Sequence, residues 1–570
     1  MVCSIVRFLL PLAAVATASA QQADSAMATS RNGMVVSTSA PASDAGASIL
    51  KKGGNAIDAA VATAFALAVT HPSAGNIGGG GFMVIRPAKG APITIDYRER
   101  APYKSTQTMY LDSTGKIARQ LTATGYLAPG VPGTVRGLAM AHKRYGKLPW
   151  KDVVMPAVNL ADKGFVLSPA LSRSLNREVA GAMAKYATSV AAYGKPGGGE
   201  WVAGDTIKLH DLARTLRAIA TNGPNAFYTG WIADSIASTM KANGGLISKN
   251  DLAEYQAKAR APIMGKYRGF ELITMPPPSS GGVAMVEMLN MLENFDLPKW
   301  GSTSPTSLHY IIEAQRRAYL DRARYLGDPD FVKNMPLARL TSKPYAKTLA
   351  STIDPNHASN SAELGKDIVT AVASNEHDET THFSVVDRSG NAVSNTFTLE
   401  GGFGSHVVVP GTGMILNNEM GDFNKKPGET NLTGDIGTPA NIIEPGKRML
   451  SSMSPTIITR DGKLFMVTGS PGGRTIINTV TEIVLNATTF GMNVRQSVDA
   501  PRFHHQWLPD EVTFERNALP DSTVQRLTAM GYVVKFGGQQ GDSNSIIIRD
   551  GIAYGANDSV RSADSKASVP

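Results

Sequence analysis

Apolar positions along this chain follow two periods, and the change between them falls at one residue. Between 34 and 325 most periodic stretches have helical spacing, whereas from Thr381 onward alternation with period two dominates. The stretch 354–379 that separates them holds few large apolar side chains and is expected to be mobile, because it has too little to bury. It stops at Thr380, where the strand pattern Thr381-His382-Phe383-Ser384-Val385-Val386-Asp387 begins.

In the first half the pattern predicts a strand over 34–37, a helix over 44–52 closed by Gly53-Gly54, and a nearly all-apolar helix over 56–69 that must be buried on most sides. Glycines 78–81 follow that helix and feed a strand over 82–86. This reverses the strand-to-helix order of a phosphate loop, so the run is read as a close approach of backbones. The chain turns at Lys89-Gly90 and returns over 93–97, delivering Arg98 at the strand's end, where its fork geometry suits a carboxylate. Helices are predicted over 133–145, 151–163, 168–186, 209–222 and 230–243, and a capping pair, Ser248 with Asp251, opens another. A rigid loop, 276–282, precedes a Met-rich core helix over 283–294. The helix over 307–325 places acid–base pairs on its outer face.

In the second half, hairpins join 381–387 to 392–399 and 456–459 to 464–468. Helices over 476–490 and 494–500, a strand over 511–515, a helix over 522–530 and a hairpin of 545–549 with 552–555 complete the chain. Strands bunched apart from helices predict an α+β fold, two sheets sandwiched by helices.

Composition narrows the class. Of 570 residues, 42% are hydrophobic and 18% charged, which suits a protein with a large core. Residues 1–20 combine one cation, Arg7, a short apolar run and small residues at Ala18 and Ala20, and so predict an export signal cut after Ala20. The sole cysteine, Cys3, would leave with it, excluding both disulfides and a thiol nucleophile from the mature chain. No other apolar run is long enough for a membrane span. The net charge of +9 comes from scattered cations without interleaved aromatics, so no nucleic-acid partner is expected. His504-His505 points its two rings in different directions and has no further ligands at useful spacing. It is read as packing, and neither a metal nor a cofactor is called for.

The chemistry centres on Thr380. A threonine hydroxyl needs a base, and the nearest is its own α-amine, unavailable while in a peptide bond. Cutting Glu379-Thr380 would free an amine with a pKa of about 7.7 to 8.0, suited to take a proton near neutrality. Taken alone, a Thr-Thr pair at a strand's start is equally explained by strand propensity.

Four further stretches accompany it: Ala74 to Ile85 with its glycines, Asn418-Glu419-Met420-Gly421-Asp422-Phe423, Leu450-Ser451-Ser452-Met453-Ser454-Pro455, and Thr468-Gly469-Ser470-Pro471-Gly472-Gly473. With them the chain, from about Met34 to Ser559, resembles the γ-glutamyltransferase family of N-terminal nucleophile hydrolases. The resemblance implies a four-layer αββα sandwich that cuts itself into a heavy chain, 21–379, and a light chain, 380–570, which stay together as a heterodimer. It implies that Thr380 attacks γ-glutamyl amides such as glutathione, and that the ester formed passes to water, an amino acid or a dipeptide. Thr398 matches the threonine that supports the nucleophile, Gly472 and Gly473 the oxyanion donors, Arg98, Ser451 and Ser452 the carboxylate site, and Asp422 the acid that meets the substrate's ammonium. Glu400 and Glu419 stand where many members carry Asn and Gln. The segment 427–438 matches a lid, with Thr433 in place of a frequent aromatic residue. Export to the periplasm or medium follows from the signal. Two rivals remain: a glutaryl or cephalosporin-type acylase on the same scaffold, which would leave Glu400, Glu419 and Asp422 unbalanced, and an unprocessed amino-acid-binding protein.

Overall fold

Two seven-stranded antiparallel sheets face each other in a computed structural model that describes residues 27–369 and 380–570. In chain order their strands are β1 (Ala28–Ser30), β2 (Gly33–Ser37), β3 (Gly80–Arg86), β4 (Ile93–Asp96), β5 (Lys258–Arg260), β6 (Ile263–Tyr267), β7 (Phe270–Thr274), β8 (Thr381–Asp387), β9 (Ala392–Thr398), β10 (Thr456–Arg460), β11 (Lys463–Thr468), β12 (Asn544–Arg549), β13 (Ile552–Asn557) and β14 (Lys566–Ser568). The first sheet runs β1-β13-β12-β11-β10-β7-β6, the second β14-β2-β8-β9-β3-β4-β5. Each sheet therefore mixes strands from both sides of Thr380.

Helices α1 (Ala40–Lys51) and α2 (Ala56–Thr70) cover the second sheet through Phe65, Val69, Val385 and Val393. On the other side, α3 (Gly281–Leu292), α4 (Pro305–Tyr325) and α5 (Ile476–Thr488) cover the first sheet, with Met285, Met288 and Val480 against Leu272, Ile458 and Met466. A smaller core of Met34, Val36, Val84, Ile457, Val467 and Ile546 fills the space between the sheets. These layers make the expected αββα sandwich. All of α2 is buried, as its composition requires, and an Asn55/Asp58 capping box starts it.

Period two governs what each face of the β8–β9 hairpin carries. Phe383 and Val385 face α2, so His382, Ser384 and Val386 face the other sheet, and Thr380 lies on that inner side. Near Thr380 the inner face is hydrogen-bonded instead of apolar. Ser394 Oγ donates to Thr468 O at 2.8 Å, Ser384 Oγ to Asn544 O at 2.7 Å, and Asn544 Nδ2 to His382 O at 3.1 Å. Burial pushes the His382 imidazole down to about 3, so it stays neutral between Thr396 Oγ1 at 2.8 Å and Ser384 Oγ at 3.1 Å.

The glycine run does pack closely. A Cβ added to Gly79 would stand 2.1 Å from the Thr398 carbonyl oxygen, and one on Gly78 2.1 Å from that of Ile415. Side chains there would push the end of β9 away.

Three expectations are corrected. The helix over 168–186 breaks at Gly181, whose backbone leaves the helical region, into Pro169–Ala180, a short turn and Ala187–Tyr193. The acid–base pairs of α4 are buried, with Glu313, Arg316 and Arg317 at most 3% exposed, because residues 352–361 and 505–510 lie over that face. Those contacts also order much of the polar stretch. Arg317 Nη2 donates to Thr352 O at 3.0 Å, Ser361 N to Asp510 Oδ2 at 2.8 Å, and Trp507 Nε1 to Ser361 O at 2.8 Å. The remainder of the stretch, 370–379, and the signal with Cys3 lie outside the described residues.

Since both the Gly79 Cα and the carbonyl it meets are backbone, neither can yield locally. Gly79→Ala is expected to lose about 1–3 kcal/mol in urea unfolding, while Gly538→Ala, which meets open space, should stay within about 0.5 kcal/mol. Equal midpoints for the two would remove the close-packing account.

Candidate active site

Where β8 begins and β9 ends, the two threonines meet across the hairpin: Thr380 Oγ1 donates to Thr398 Oγ1 at 3.4 Å. Thr398 Oγ1 in turn accepts the Glu400 N–H at 2.7 Å, which is possible because Glu400 adopts a left-handed φ of 80° as the chain leaves the strand. Both hydroxyls and Glu400 border one cavity.

Opposite them, β11 ends in the turn 469–473. Gly472 (φ 128°) and Gly473 (φ 51°) hold left-handed conformations that favour glycine, and a Cβ on Gly472 would stand 2.5 Å from Thr475 Oγ1. The turn leads through Gly473–Thr475 directly into α5, so its N–H groups sit at the positive end of a 13-residue helix. Gly473 lines the cavity; Gly472 is its support and does not reach the lining. A Cβ on Gly469 would meet the His382 ring at 2.4 Å, so β8, which Thr380 precedes, and this turn are packed in direct contact.

The cavity's far end is charged. Arg98 is fully buried, and its guanidinium pairs with Glu419 and Asp422 and donates to the Met449 and Leu450 carbonyls at 3.3 Å. Glu99, not foreseen, is also fully buried, 3.7 Å from Arg98. Burial, only partly offset by Arg98, pushes Glu99 up to about 7 and Glu419 well above the ordinary range, with the other carboxylates adding repulsion. Among the described residues Glu419 Oε2 has no hydrogen-bond partner.

Ser451 and Ser452 complete this end. Ser451 Oγ accepts from Met453 N at 3.1 Å, and Ser452 Oγ accepts from Arg322 Nη2 at 3.2 Å. Arg322, on α4, is a second residue that the residue pattern left unmarked. Its position in a long helix carries no local signal, whereas Glu99 was discoverable from its place beside Arg98.

The segment 427–438 contributes Glu429, Asp435, Ile436 and Thr438 to the cavity wall. Arg119 Nη2 grips Asp435 at 2.7 and 2.8 Å, and Arg474 Nη1 donates to Gly434 O at 2.9 Å. Thr433 turns its hydroxyl back to Asn431 Oδ1 at 3.0 Å. His504 and His505 lie buried elsewhere, hydrogen-bonded to Asn478 and Gln506 and to Asp510 respectively. The site residues expected from the sequence line this cavity, except Gly472, which stands behind Gly473, and Glu379, which lies outside the described residues.

A hydroxyl beside oxyanion donors, with a pocket bearing both signs of charge, can perform acyl transfer on a zwitterionic substrate. Comparison with known proteins agrees. The gamma-glutamyltranspeptidase family model matches residues 42–568. A glutathione hydrolase proenzyme of Escherichia coli (strain K12) is 49% identical over 531 residues, covering 93% of this chain and 90% of the relative. One from Pseudomonas sp. (strain A14) is 46% identical over 512 residues, covering 89% and 87%. The crystal structure of cephalosporin acylase from Bacillus halodurans superposes with a TM-score of 0.82 over 95% of this chain and 97% of that one, at 27% identity.

The raised carboxyls set a sign for pH dependence. Between about pH 4.5 and 7 the unfolded chain releases the Glu99 proton while the folded protein keeps it, so stability falls as pH rises through that window. Wild type should lose on the order of 2–3 kcal/mol more than Glu99→Gln across it. Parallel urea midpoints for the two would show that Glu99 is ionised throughout.

Proposed function

The chain belongs to the gamma-glutamyltranspeptidase family, and from that premise we propose how its residues divide the work. It is an enzyme that matures from a proenzyme, cleaves γ-glutamyl amides such as glutathione and hands the acyl group to water, an amino acid or a dipeptide. In our reading the export signal leaves after Ala20, delivering the chain to the periplasm or the medium. The cut falls between Glu379 and Thr380, and the heavy chain, 21–379, stays bound to the light chain, 380–570. Among the described residues no helix is long and apolar enough to cross a membrane.

The observation that carries the assignment is the meeting of Thr380 with Thr398 on one sheet and the Gly473 turn on the other, all bordering a charged pocket. The freed α-amine of Thr380 takes the hydroxyl proton. Oγ1 attacks the γ-carbonyl, and the oxyanion accepts N–H bonds from the Gly472-Gly473 turn at the positive end of α5. The proton then passes to the leaving amine. Water or an acceptor amine, losing its proton to the same α-amine, releases the group from the ester. At the far end the substrate's carboxylate meets Arg98, Ser451 and Ser452, and its ammonium meets Glu400, Glu419 and Asp422.

The cephalosporin-acylase likeness in fold raises an alternative, a glutaryl donor. Such a donor has no ammonium to pair with Glu419 Oε2, which has no hydrogen-bond partner among the described residues, so the carboxyls there would stay unbalanced.

Denaturing mass measurement with p-nitroanilide kinetics tests both readings. Wild type should give two fragments, one starting at Thr380, and Thr380→Ala one uncut chain at least ~10⁴-fold less active. The kcat/KM for the glutaryl anilide should lie at least ~100-fold below that for L-γ-glutamyl-p-nitroanilide. Equal rates for the two donors would transfer the assignment to an acylase, and a single uncut, inactive wild-type chain would sink it altogether.

A further inference from the structure

Resting on the γ-glutamyl reading of the pocket, we propose that Arg322 is a positioning residue of its carboxylate end, acting directly through Ser452 and, by way of Ser280, through Ser451. The guanidinium reaches two hydroxyls at once: Nη2 donates to Ser452 Oγ at 3.2 Å and Nε to Ser280 Oγ at 2.9 Å. Ser280 then passes the contact on, its Oγ and N donating to the Ser451 carbonyl at 2.6 and 2.8 Å.

A hydroxyl has one hydrogen to give, and a fixed donor occupying one of its lone pairs decides where that hydrogen points. Ser452 accepts from Arg322 and Ser451 accepts from Met453 N. With that lone pair occupied, each hydroxyl keeps its hydrogen to give to a group in the cavity that both residues line. A substrate carboxylate finds two prepared O–H donors, one of them polarised by a cation.

Charge balance leads to the same residue. Arg98 already pairs with Glu419 and Asp422, and Glu99 and Glu400 add further carboxylates to its surroundings. Arg322 lines the same cavity as Arg98, on the side of Ser452. Arg322 lies on α4, before the cut, and Ser452 after it, so the contact also fastens the two halves at the point where substrate binds. A lysine could serve one hydroxyl but not both, because only the guanidinium presents a rigid fork.

The test compares two donors on processed enzyme: L-γ-glutamyl-p-nitroanilide, and 4-aminobutanoyl-p-nitroanilide, which keeps the amine and lacks the α-carboxylate. Competitive inhibition by L-glutamate and by 4-aminobutanoate supplies the same comparison without turnover. Arg322→Met should raise KM for the γ-glutamyl donor and Ki for L-glutamate by about 10- to 100-fold, with kcat within about 3-fold. Values for the two 4-aminobutanoyl compounds should not change, and Arg322→Lys should fall in between. Should Arg322→Met fail to self-cleave, Ser280→Ala, which removes one arm, must still raise the γ-glutamyl KM selectively. Loss shared equally by both donor types, or no change in the γ-glutamyl KM, would overturn the role. If wild type itself is inert toward the γ-glutamyl anilide, the function assigned to the pocket falls too; an active wild type with an unaffected variant overturns only the role of Arg322.

Discussion

Everything in this molecule depends on the register of the β8–β9 hairpin between β2 and β3. The hairpin pairs Thr381 with Phe397, then hands Phe383 to Ser37 on one side and Thr398 to Gly80 on the other. A slip of one residue would turn Thr380 from the inner face to the helix-covered face, because side chains alternate. The same register explains how a cut before Thr380 can leave one body. Strands from before the cut flank the hairpin on both sides, and the other sheet sets β7 against β10.

The proposed chemistry sets a nucleophile on one sheet and its oxyanion turn on the other, and so demands that the sheets not slide. Apolar packing is non-directional and would allow small shifts. The end of the sandwich nearest Thr380 is instead tied by directional bonds, among them Ser394 to Thr468 and Asn544 to His382. The His382 ring fills the space beneath Gly469. Farther along, where no chemistry needs alignment, Val84, Ile457 and Val467 make an ordinary apolar filling.

The charged end of the cavity works by a different logic. Glu99, Glu419 and Asp422 stand against one fully buried arginine, with Glu400 beyond Glu419, an arrangement that costs desolvation energy and pushes Glu99 and Glu419 toward the protonated form. A donor that brings its own cation relieves that cost, and one that brings only a carboxylate adds to it. On the proposed reading, this cluster of carboxyls is what selects for an α-amino group. Arg119 and Arg474 hold residues 434–435 at the wall of this cavity.

Much of this was legible in the chain itself. The αββα class, the hairpin around 388–391, the burial of α2 and the close approach at Gly78–Gly81 follow from local periodicity and from glycine's lack of a side chain. Thr380 as the reactive residue came from the break in pattern before it, and its partners at Thr398, Gly473, Arg98, Glu400, Glu419, Asp422, Ser451 and Ser452 from resemblance. Local pattern could not show that α4 carries Glu313, Arg316 and Arg317 inward, since what buries them is a polar stretch and a loop near Asp510 that carry no periodic signal. Nor could it find short strands such as β1, β5 and β14, which exist only because a neighbour offers free backbone groups. Glu99 and Arg322 gained their meaning from where the fold put them, because the effect of a charge depends on the charges and solvent around it. Sequence determined which side chains were available and which face of each element they would occupy; only the tertiary structure decided which of them meet, since contacts between residues hundreds of positions apart leave no periodic trace.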